Sequence, residues 1–163
     1  MRKADIMQEK IFLLPDLKMQ ISRLRLLKKT IAFTNGCFDI LHQGHIFSLS
    51  QAAAEADYLI VGVNADLSVK KLKGPDRPIN SEKSRSLLLA SLLMVDAVIL
   101  FEEDTPLELI KNILPDVLVK GGDYAIDEVA GAAEVIAHGG KVVINPILPG
   151  FSTTGLIEKI HRL

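Results

Sequence analysis

The chain has 163 residues, of which 48% are hydrophobic, and a formal net charge of −1. This length suits one domain with a sizeable core, no apolar run approaches the length of a membrane span, and the charge favours neither nucleic acid nor an acidic membrane as a partner. The single cysteine, Cys37, excludes an internal disulfide, and the apolar run within residues 1–15 is too short for a signal peptide, so we expect a cytoplasmic protein.

Residues 1–29 are interpreted as an N-terminal extension. Residues 1–15 show little pattern, whereas leucine and isoleucine recur at helical spacing over 17–29. This spacing predicts an amphipathic helix with Asp16 as its cap. The apolar surface of this helix leads us to expect a homodimer or a higher homo-oligomer.

Residues 30–163 alternate between short apolar runs and helical patterns. We predict strands over 31–34, 58–63, 97–101, 117–119 and 142–144. We predict helices over 43–56, 81–93, 106–114 and 128–138, a last helix that begins at Ser152, and a loop over 70–78, where KGPDRP stands. This order predicts an α/β fold, a Rossmann-like, doubly wound sheet of five parallel strands with helices on both faces.

The segment 30–45, TIAFTNGCFDILHQGH, has the pattern of a strand, a glycine turn and a helix start. Such an arrangement aims backbone N–H groups and a helix N-terminus at a phosphate. We predict that the turn at Asn35 and Gly36 cradles a phosphate, and that the N–H groups of Cys37 and Phe38 donate to it. The Cys37 side chain is interpreted as a small residue that fits the loop rather than as a nucleophile.

His42 and His45 stand three residues apart, with Gly44 between them. Structural packing, zinc binding and hydrogen bonding to a phosphate are competing roles for such a pair. A zinc site needs a third protein ligand, and no further Cys or His lies near enough in sequence. Gly44 would let a ligand lie against the helix start. We therefore predict that both imidazoles donate hydrogen bonds where charge develops on an α-phosphate.

Polar groups also follow the later strands. The carboxyl ends of parallel strands meet at one edge of the sheet, where ligands of open α/β sheets bind. Glycines after the fourth strand would admit a ribose or base edge, and hydroxyls at the start of the last helix suit the outer phosphates. The nucleotide contacts predicted in these two places are Lys120, Gly121, Gly122, Asp123, Ser152, Thr153 and Thr154.

Groups near the second strand are assigned to the second substrate. Lys73 and Arg77 stand among glycine and proline residues, which indicate an ordered loop, so we predict that both bind an anion. Lys73 is also a candidate catalytic cation. Asn64 and Asp39 are placed on the same side, with Asp39 as a brace for the loop rather than a base.

NGCFDILHQGH resembles the G-x-F-D-x-x-H-x-G-H signature of the nucleotidyltransferase superfamily, and GFSTT resembles its second signature. LKGPDRPIN, EEDTP and VKGGDY are similar to segments of the D-glycero-β-D-manno-heptose 1-phosphate adenylyltransferases, which occur alone or as the C-terminal half of a bifunctional heptose kinase and adenylyltransferase. The likeness covers residues 30–162 and implies the standalone form, with Arg85 on the substrate side. Phe47 stands where a related cytidylyltransferase pattern has a lysine.

The resemblance implies that AMP passes from ATP to a sugar 1-phosphate, giving ADP-heptose and pyrophosphate for lipopolysaccharide core biosynthesis. The attacking phosphate is already largely ionised at neutral pH, because the second pKa of a phosphomonoester is about 6, so no general base is needed. Mg²⁺ bound through the ATP phosphates is the expected cofactor. A glycerol-3-phosphate cytidylyltransferase-like enzyme and a nucleotide-binding sensor without catalysis are the alternatives.

Overall fold

The apolar runs of the sequence form one parallel sheet in the computed structural model, which describes residues 5–163. The strands are β1 (Ile11–Phe12), β2 (Ile31–Gly36), β3 (Tyr58–Asn64), β4 (Ala97–Phe101), β5 (Val117–Gly121) and β6 (Lys141–Asn145). The helices are α1 (Leu14–Leu26), α2 (Gln43–Ala53), α3 (Asp66–Lys73), α4 (Glu82–Ala90), α5 (Leu107–Ile113), α6 (Ala132–Ala137) and α7 (Thr153–His161). Every helix among these residues is too short or too polar to cross a bilayer.

The central strands are apolar along their length because helices cover both faces of the sheet. Phe33 and Ile60 pack with α1, α5 and α6 on one face. Ala32 and Val61 pack with α2 and α4 on the other. Alternate residues of one strand therefore belong to two separate cores, and the strands read as continuous hydrophobic runs, as in other doubly covered parallel sheets.

The sheet has six strands rather than the five predicted. The additional strand, β1, pairs in parallel with β4, with Ile11 opposite Val98 and Phe12 opposite Ile99. Two residues are too few to show a period, so no sequence pattern predicts this strand. Part of the segment 1–15 is thus an edge of the sheet, while residues 1–4 lie outside the described part of the chain.

The first helix begins earlier than predicted. It spans Leu14–Leu26, follows Leu13 as its N-cap, and has a proline in its first turn. Asp16 lies inside that turn, so its prediction as the cap is wrong. Leu17 and Ile21 are buried in the core, which means that the predicted N-terminal extension packs on the sheet that carries the rest of the chain.

The predicted loop over 70–78 is helical in its first part. Helix α3 runs through Lys73 and ends at Gly74, whose φ of 104° lies in a region that suits glycine. The lysines at 70, 71 and 73 are therefore on a helix, and only residues 74–78 form the loop. Both serine caps were predicted correctly: Ser81 precedes α4 and Ser152 precedes α7, and each hydroxyl accepts a backbone N–H.

Strand β2 is the point where the order of the sheet, β1-β4-β3-β2-β5-β6, reverses. It pairs with β3 along its full length. It pairs with β5 only at Ala32 and Phe33, although the two strands continue to Gly36 and Gly121. A crevice therefore opens between their carboxyl ends, which is the position where open α/β sheets bind ligands.

Candidate active site

A cavity of about 740 Å³ lies at the carboxyl ends of the strands. It brings together residues from the turn after β2, the start of α2, the end of α3, the end of β5 and the start of α7. The predicted site residues that line it are Asn35, Gly36, Cys37, Phe38, Asp39, His42, Gly44, His45, Asn64, Lys73, Arg77, Lys120, Gly121, Ser152, Thr153 and Thr154. Segments far apart in sequence thus meet at one edge of the sheet, as the order of strands predicted.

The two histidines form a stacked pair at this cavity. Their ring centroids are 3.8 Å apart and the ring planes are inclined by 20°. The ring of Phe38 meets His45 edge to face, with centroids 5.3 Å apart. The Nδ1 atoms of both imidazoles are buried and have no hydrogen-bond partner among the described residues. Buried polar atoms without partners are uncommon in folded proteins and are a reason to expect a ligand.

Two glycines leave room here for close packing within the protein itself. A Cβ atom on Gly44 would lie 3.1 Å from the ring of His42 and 3.1 Å from the Cβ of Phe151. A Cβ atom on Gly36 would lie 3.1 Å from the ring of Phe38. Both distances are tighter than ordinary contacts, so each glycine allows an aromatic side chain to close on the turn. The predicted room for a ligand at these glycines stays a prediction.

Burial makes both imidazoles weak bases. Burial, together with the neighbouring His42, lowers the pKa of His45 to about 4, although a hydrogen bond with the Ile40 backbone opposes this. Burial also lowers the pKa of His42. The two rings are therefore neutral at pH 7, and their proximity causes no repulsion between like charges. Each neutral ring has one N–H group to donate.

Asp39 braces the loop over 74–80. Its carboxylate is 2% exposed and accepts hydrogen bonds from Arg77 Nε at 2.6 Å, from the Ile79 N–H at 2.8 Å and from the Asn80 N–H at 2.9 Å. Burial by itself would raise the pKa of Asp39, but these hydrogen bonds outweigh it, and the pKa is lowered. A carboxylate held in this way is a poor base. The two Nη atoms of Arg77 have no partner among the described residues, so they remain available at the cavity.

Cys37 and Asn64 face each other across the floor of the turn. The Cys37 Sγ lies 4.0 Å from Asn64 Oδ1, and Asn64 Nδ2 donates to Ser68 at 3.0 Å. Burial raises the pKa of the Cys37 thiol, although the positive charge of Lys73 opposes this. The thiol is therefore protonated at neutral pH, which fits the prediction that it is no nucleophile.

The side of the cavity predicted to bind the nucleotide centres on the end of β5. Lys120 places its Nζ 5.6 Å from the ring centroid of Tyr124, and burial lowers the pKa of Lys120. Gly121 approaches α2 closely, since a Cβ there would lie 3.2 Å from Ser48 Oγ. Gly122 and Asp123 do not line the cavity. Gly122 has φ of 126° and donates its N–H to the Asn145 carbonyl at 3.0 Å; the nucleotide contacts at these two residues stay a prediction.

Ser152, Thr153 and Thr154 stand at the N-terminus of α7. The Ser152 hydroxyl accepts the N–H of Gly155 at 3.0 Å, as a helix cap does. The hydroxyls of Thr153 and Thr154 have no hydrogen-bond partner among the described residues. One of the three side chains is thus committed to the helix, and two are open to the cavity.

Arg85 lies outside the cavity, contrary to the substrate-side role that the resemblance implied. Its side chain is 0% exposed, and its guanidinium donates to backbone oxygens and to Asp66. A fully enclosed guanidinium cannot touch a substrate. The predicted substrate contact at Arg85 is therefore corrected.

Several lining residues were not predicted from the sequence. Most are apolar or lie in loops after β4, β5 and β6, where no residue type signals a particular chemistry. They are Ser48, Leu72, Asp104, Thr105, Pro106, Tyr124, Glu128, Val129, Ala130, Pro146, Ile147, Leu148 and Phe151. Their convergence gives the cavity an apolar wall next to its cationic and hydroxyl groups, which suits a nucleoside better than a bare anion.

The zinc alternative for the histidine pair gains no support. Within residues 5–163, no group of three or more His, Cys, Asp or Glu side chains is arranged to hold a metal ion. The nitrogen lone pairs lie in the ring planes, and these planes are inclined by only 20°. The rings would therefore have to separate before both could bind one tetrahedral ion.

A family model described as cytidylyltransferase-like matches residues 33–159. The chain is 59% identical over 132 residues to the bifunctional protein HldE of Azotobacter vinelandii, covering 81% of this chain and 28% of that protein. It is 52% identical over 156 residues to HldE of Koribacter versatilis, covering 96% of this chain and 32% of that protein. The chain therefore spans about a third or less of the length of these curated relatives.

Solved structures share the fold. The lipopolysaccharide core biosynthesis protein of Thermoplasma volcanium is 32% identical, with a TM-score of 0.60, over 74% of this chain and 97% of that one. A pantoate-beta-alanine ligase from Francisella tularensis, complexed with beta-gamma ATP and beta-alanine, is 17% identical, with a TM-score of 0.57, over 94% of this chain and 78% of that one. At that identity the second likeness concerns the fold alone.

Proposed function

The chain belongs to the cytidylyltransferase-like family, and we propose that it transfers AMP from ATP to a sugar 1-phosphate. The proposed acceptor is D-glycero-β-D-manno-heptose 1-phosphate, and the products are ADP-heptose and pyrophosphate. The observation that carries the proposal is the neutral, stacked pair of His42 and His45 beside the glycine turn. The choice of a heptose is supported by the HldE relatives and by the sequence segments that resemble heptose adenylyltransferases.

We propose separate places in the cavity for the two substrates. We place the adenosine of ATP against the apolar wall near Lys120 and Tyr124, and the outer phosphates at the hydroxyls of Thr153 and Thr154. The sugar phosphate then lies on the opposite side, near Lys73 and the free edge of Arg77. This arrangement is supported by the position of β2 at the centre, because ligands of open sheets lie across the switch point.

The reaction needs no proton transfer to start. An oxygen of the ionised sugar phosphate attacks the α-phosphorus, and the bond from the α-phosphorus to the oxygen of pyrophosphate breaks. The new anhydride bond joins the sugar phosphate to AMP, and pyrophosphate carries away the negative charge. The chain supplies position and charge stabilisation rather than a base.

The histidines act on the α-phosphate in this proposal. An N–H donor that is already in place stabilises the charge that develops on the α-phosphate oxygens, without any reorganisation at the moment of reaction. Because His42 and His45 are neutral before ATP binds, they do not require a counter-ion in the free protein. The hydrogen bonds strengthen as the transition state forms, because negative charge grows on the phosphate oxygens that accept them.

Mg²⁺ is proposed to arrive with ATP. When bound, it would neutralise charge on the phosphates and ease the departure of pyrophosphate. Asp39 would contribute little to holding such an ion, because its carboxylate already accepts three N–H groups. Phosphate oxygens and water would therefore supply most of its coordination.

A panel of substrates tests the proposal. Pyrophosphate release by the wild-type protein is measured with ATP or CTP, each combined with heptose 1-phosphate, glucose 1-phosphate or glycerol 3-phosphate. We expect the highest kcat/KM for ATP with heptose 1-phosphate. Preference for CTP with glycerol 3-phosphate would replace the proposal with the cytidylyltransferase alternative, and nucleotide binding without turnover on any acceptor would favour a sensor.

A further inference from the structure

Arg85 is the largest side chain that is fully enclosed in the described part of the protein. Its Nη1 donates to the Cys37 carbonyl at 2.6 Å, and its Nε donates to the Asn80 carbonyl at 3.0 Å. Its Nη2 donates to the Asn64 carbonyl and to the Asp66 carboxylate, both at 2.8 Å. One guanidinium thus joins the glycine turn, the end of β3, the start of α3 and the loop that carries Arg77.

The bond to Cys37 fixes the direction of one peptide plane. In a planar trans peptide the C=O and N–H bonds point in opposite directions. Because the Cys37 carbonyl points to the enclosed Arg85, the N–H of Phe38 points away from it. Phe38 lines the cavity and Arg85 does not, and on this ground we infer that the N–H faces the cavity. It has no hydrogen-bond partner among the described residues.

The backbone of Phe38 would not hold this direction by itself. Its φ is 48°, in the left-handed region that residues with a Cβ seldom occupy. Such a conformation persists only where the surrounding contacts hold it, and it is often found at ligand sites. The contact of Arg85 with the Cys37 carbonyl is one such restraint, and the packing of the Phe38 ring on His45 is another.

We propose that Arg85 is a positioning residue for the transfer reaction, which directs the Phe38 N–H to a phosphate of the nucleotide by holding the Cys37 carbonyl. The part of this inference that concerns the reaction rests on the proposed function. The part that concerns the direction of the N–H rests on geometry alone. The same guanidinium holds the Asn80 carbonyl, so it also sets the distance between the glycine turn and the loop that carries the acceptor-side arginine. A lysine cannot replace it, because an ammonium has no planar fork to reach separate acceptors.

The test compares Arg85→Lys with Arg25→Lys. Arg25 is a matched control because its Nη2 also donates to two backbone carbonyls, of Ile113 and Leu114, at 2.9 and 2.8 Å. These residues join α1 to the end of α5 and do not line the cavity. The first measurement is the amide shift of Phe38 in ¹H–¹⁵N spectra during titration with inorganic pyrophosphate. We expect a large downfield shift in the wild type and in Arg25→Lys, and less than about half of it in Arg85→Lys.

The second measurement is turnover at a temperature where all variants are folded. Loss of one aligned donor to a transition state lowers kcat by about 10²–10³-fold, and partial misalignment should lower it by about 10- to 100-fold in Arg85→Lys. The KM for ATP should change by less than about threefold, because other contacts bind the ground state. Arg25→Lys should keep the wild-type kcat even where its melting temperature falls.

A folded Arg85→Lys protein with the wild-type kcat and the wild-type Phe38 shift would overturn the inference. If Arg85→Lys does not fold, Asp66→Asn takes its place, because it removes one charged acceptor of the guanidinium and keeps the shape of the side chain. For Asp66→Asn we expect kcat and the Phe38 amide shift to fall, but by less than the amounts given for Arg85→Lys. Wild-type values for both would overturn the inference. A wild-type protein without turnover on any acceptor would overturn the proposed function instead, and the pyrophosphate titration would still decide the role of Arg85.

Discussion

The rings of His42 and His45 stack with their centroids 3.8 Å apart and their planes inclined by 20°. Such close stacking is compatible with neutral imidazoles, and burial lowers the pKa of both. We propose that the pair, placed beside the glycine turn, is a donor site that is assembled before the substrate arrives. Preorganised donors of this kind are effective because the protein does not have to reorient them during the reaction.

Alanine at either histidine should remove a donor to the transition state. We expect His45→Ala to lower kcat by about 10²–10³-fold, with a similar effect for His42→Ala, while the protein stays folded. His138→Ala is the control, because His138 is exposed at the end of α6 and does not line the cavity. Steady-state kinetics with circular dichroism measure both effects. A folded His45→Ala protein with wild-type kcat would remove His45 from the mechanism.

Acid should destabilise the protein partly through His45. The folded-state pKa of His45 is about 4 and its ordinary value is 6.5, so as the pH falls the unfolded chain takes up a proton first. The contribution of His45 to stability is therefore complete above pH 6.5 and is lost between pH 6.5 and about 4. Thermal melts across this range should show a smaller loss for His45→Gln than for the wild type. Equal losses would mean that the imidazole titrates normally.

The hydroxyls at the start of α7 should separate into two roles. Ser152→Ala should lower the free energy of unfolding of the protein by about 1 kcal/mol, because the Ser152 hydroxyl caps α7. Thr153→Ala and Thr154→Ala should instead raise the KM for ATP several-fold more than the KM for the sugar phosphate. If the threonine variants raised the KM for both substrates equally and lowered the melting temperature, all three hydroxyls would have only a structural role.

Lys73 should act on the acceptor. A sugar phosphate dianion beside the α-phosphate of ATP needs nearby cations, and Lys73 has no ion pair among the described residues. We expect Lys73→Ala to raise the KM for the sugar phosphate, or to lower kcat, with ATP affinity nearly unchanged. Lys70→Ala is the control on the same helix, because Lys70 does not line the cavity. An effect on ATP binding alone would reverse the assignment of the two substrates.

Arg77 gives a less direct test of the same assignment. Its Nε donates to the buried Asp39 at 2.6 Å, so Arg77→Ala removes a charged partner from a carboxylate that also holds the loop. Lower stability would accompany any change in KM. Lys73→Ala is therefore the cleaner variant, since Lys73, unlike Arg77, is not bonded to the buried Asp39.

The sequence predicted the central strands and the meeting of the site residues because both depend on simple patterns. A strand buried on both faces is apolar throughout, and the carboxyl ends of parallel strands share one edge. The two-residue strand β1 and the lysine-rich helix α3 were missed because the first is shorter than any period and the second precedes a glycine and prolines that indicate a loop. The resemblance to the nucleotidyltransferases is confirmed by the family match over residues 33–159.

Side-chain environment was the least predictable feature. An arginine near a phosphate site is expected to be a ligand, yet Arg85 is enclosed because three backbone carbonyls converge on it from separate segments. Sequence spacing does not show such convergence. The turn at Gly122 likewise depends on a backbone angle. The expected homo-oligomer and cytoplasmic location remain predictions, as do the substrate contacts.

The central claim is that the protein transfers AMP, and it is tested most directly by identifying which bond forms. Wild-type protein is incubated with Mg²⁺, ATP and heptose 1-phosphate whose phosphate oxygens carry ¹⁸O, and the products are analysed by mass spectrometry and ³¹P NMR. Attack on the α-phosphorus predicts that all of the label appears in ADP-heptose, including the oxygen that bridges its two phosphates, and that pyrophosphate contains none. Label in pyrophosphate, or ADP as the nucleotide product, would contradict adenylyl transfer.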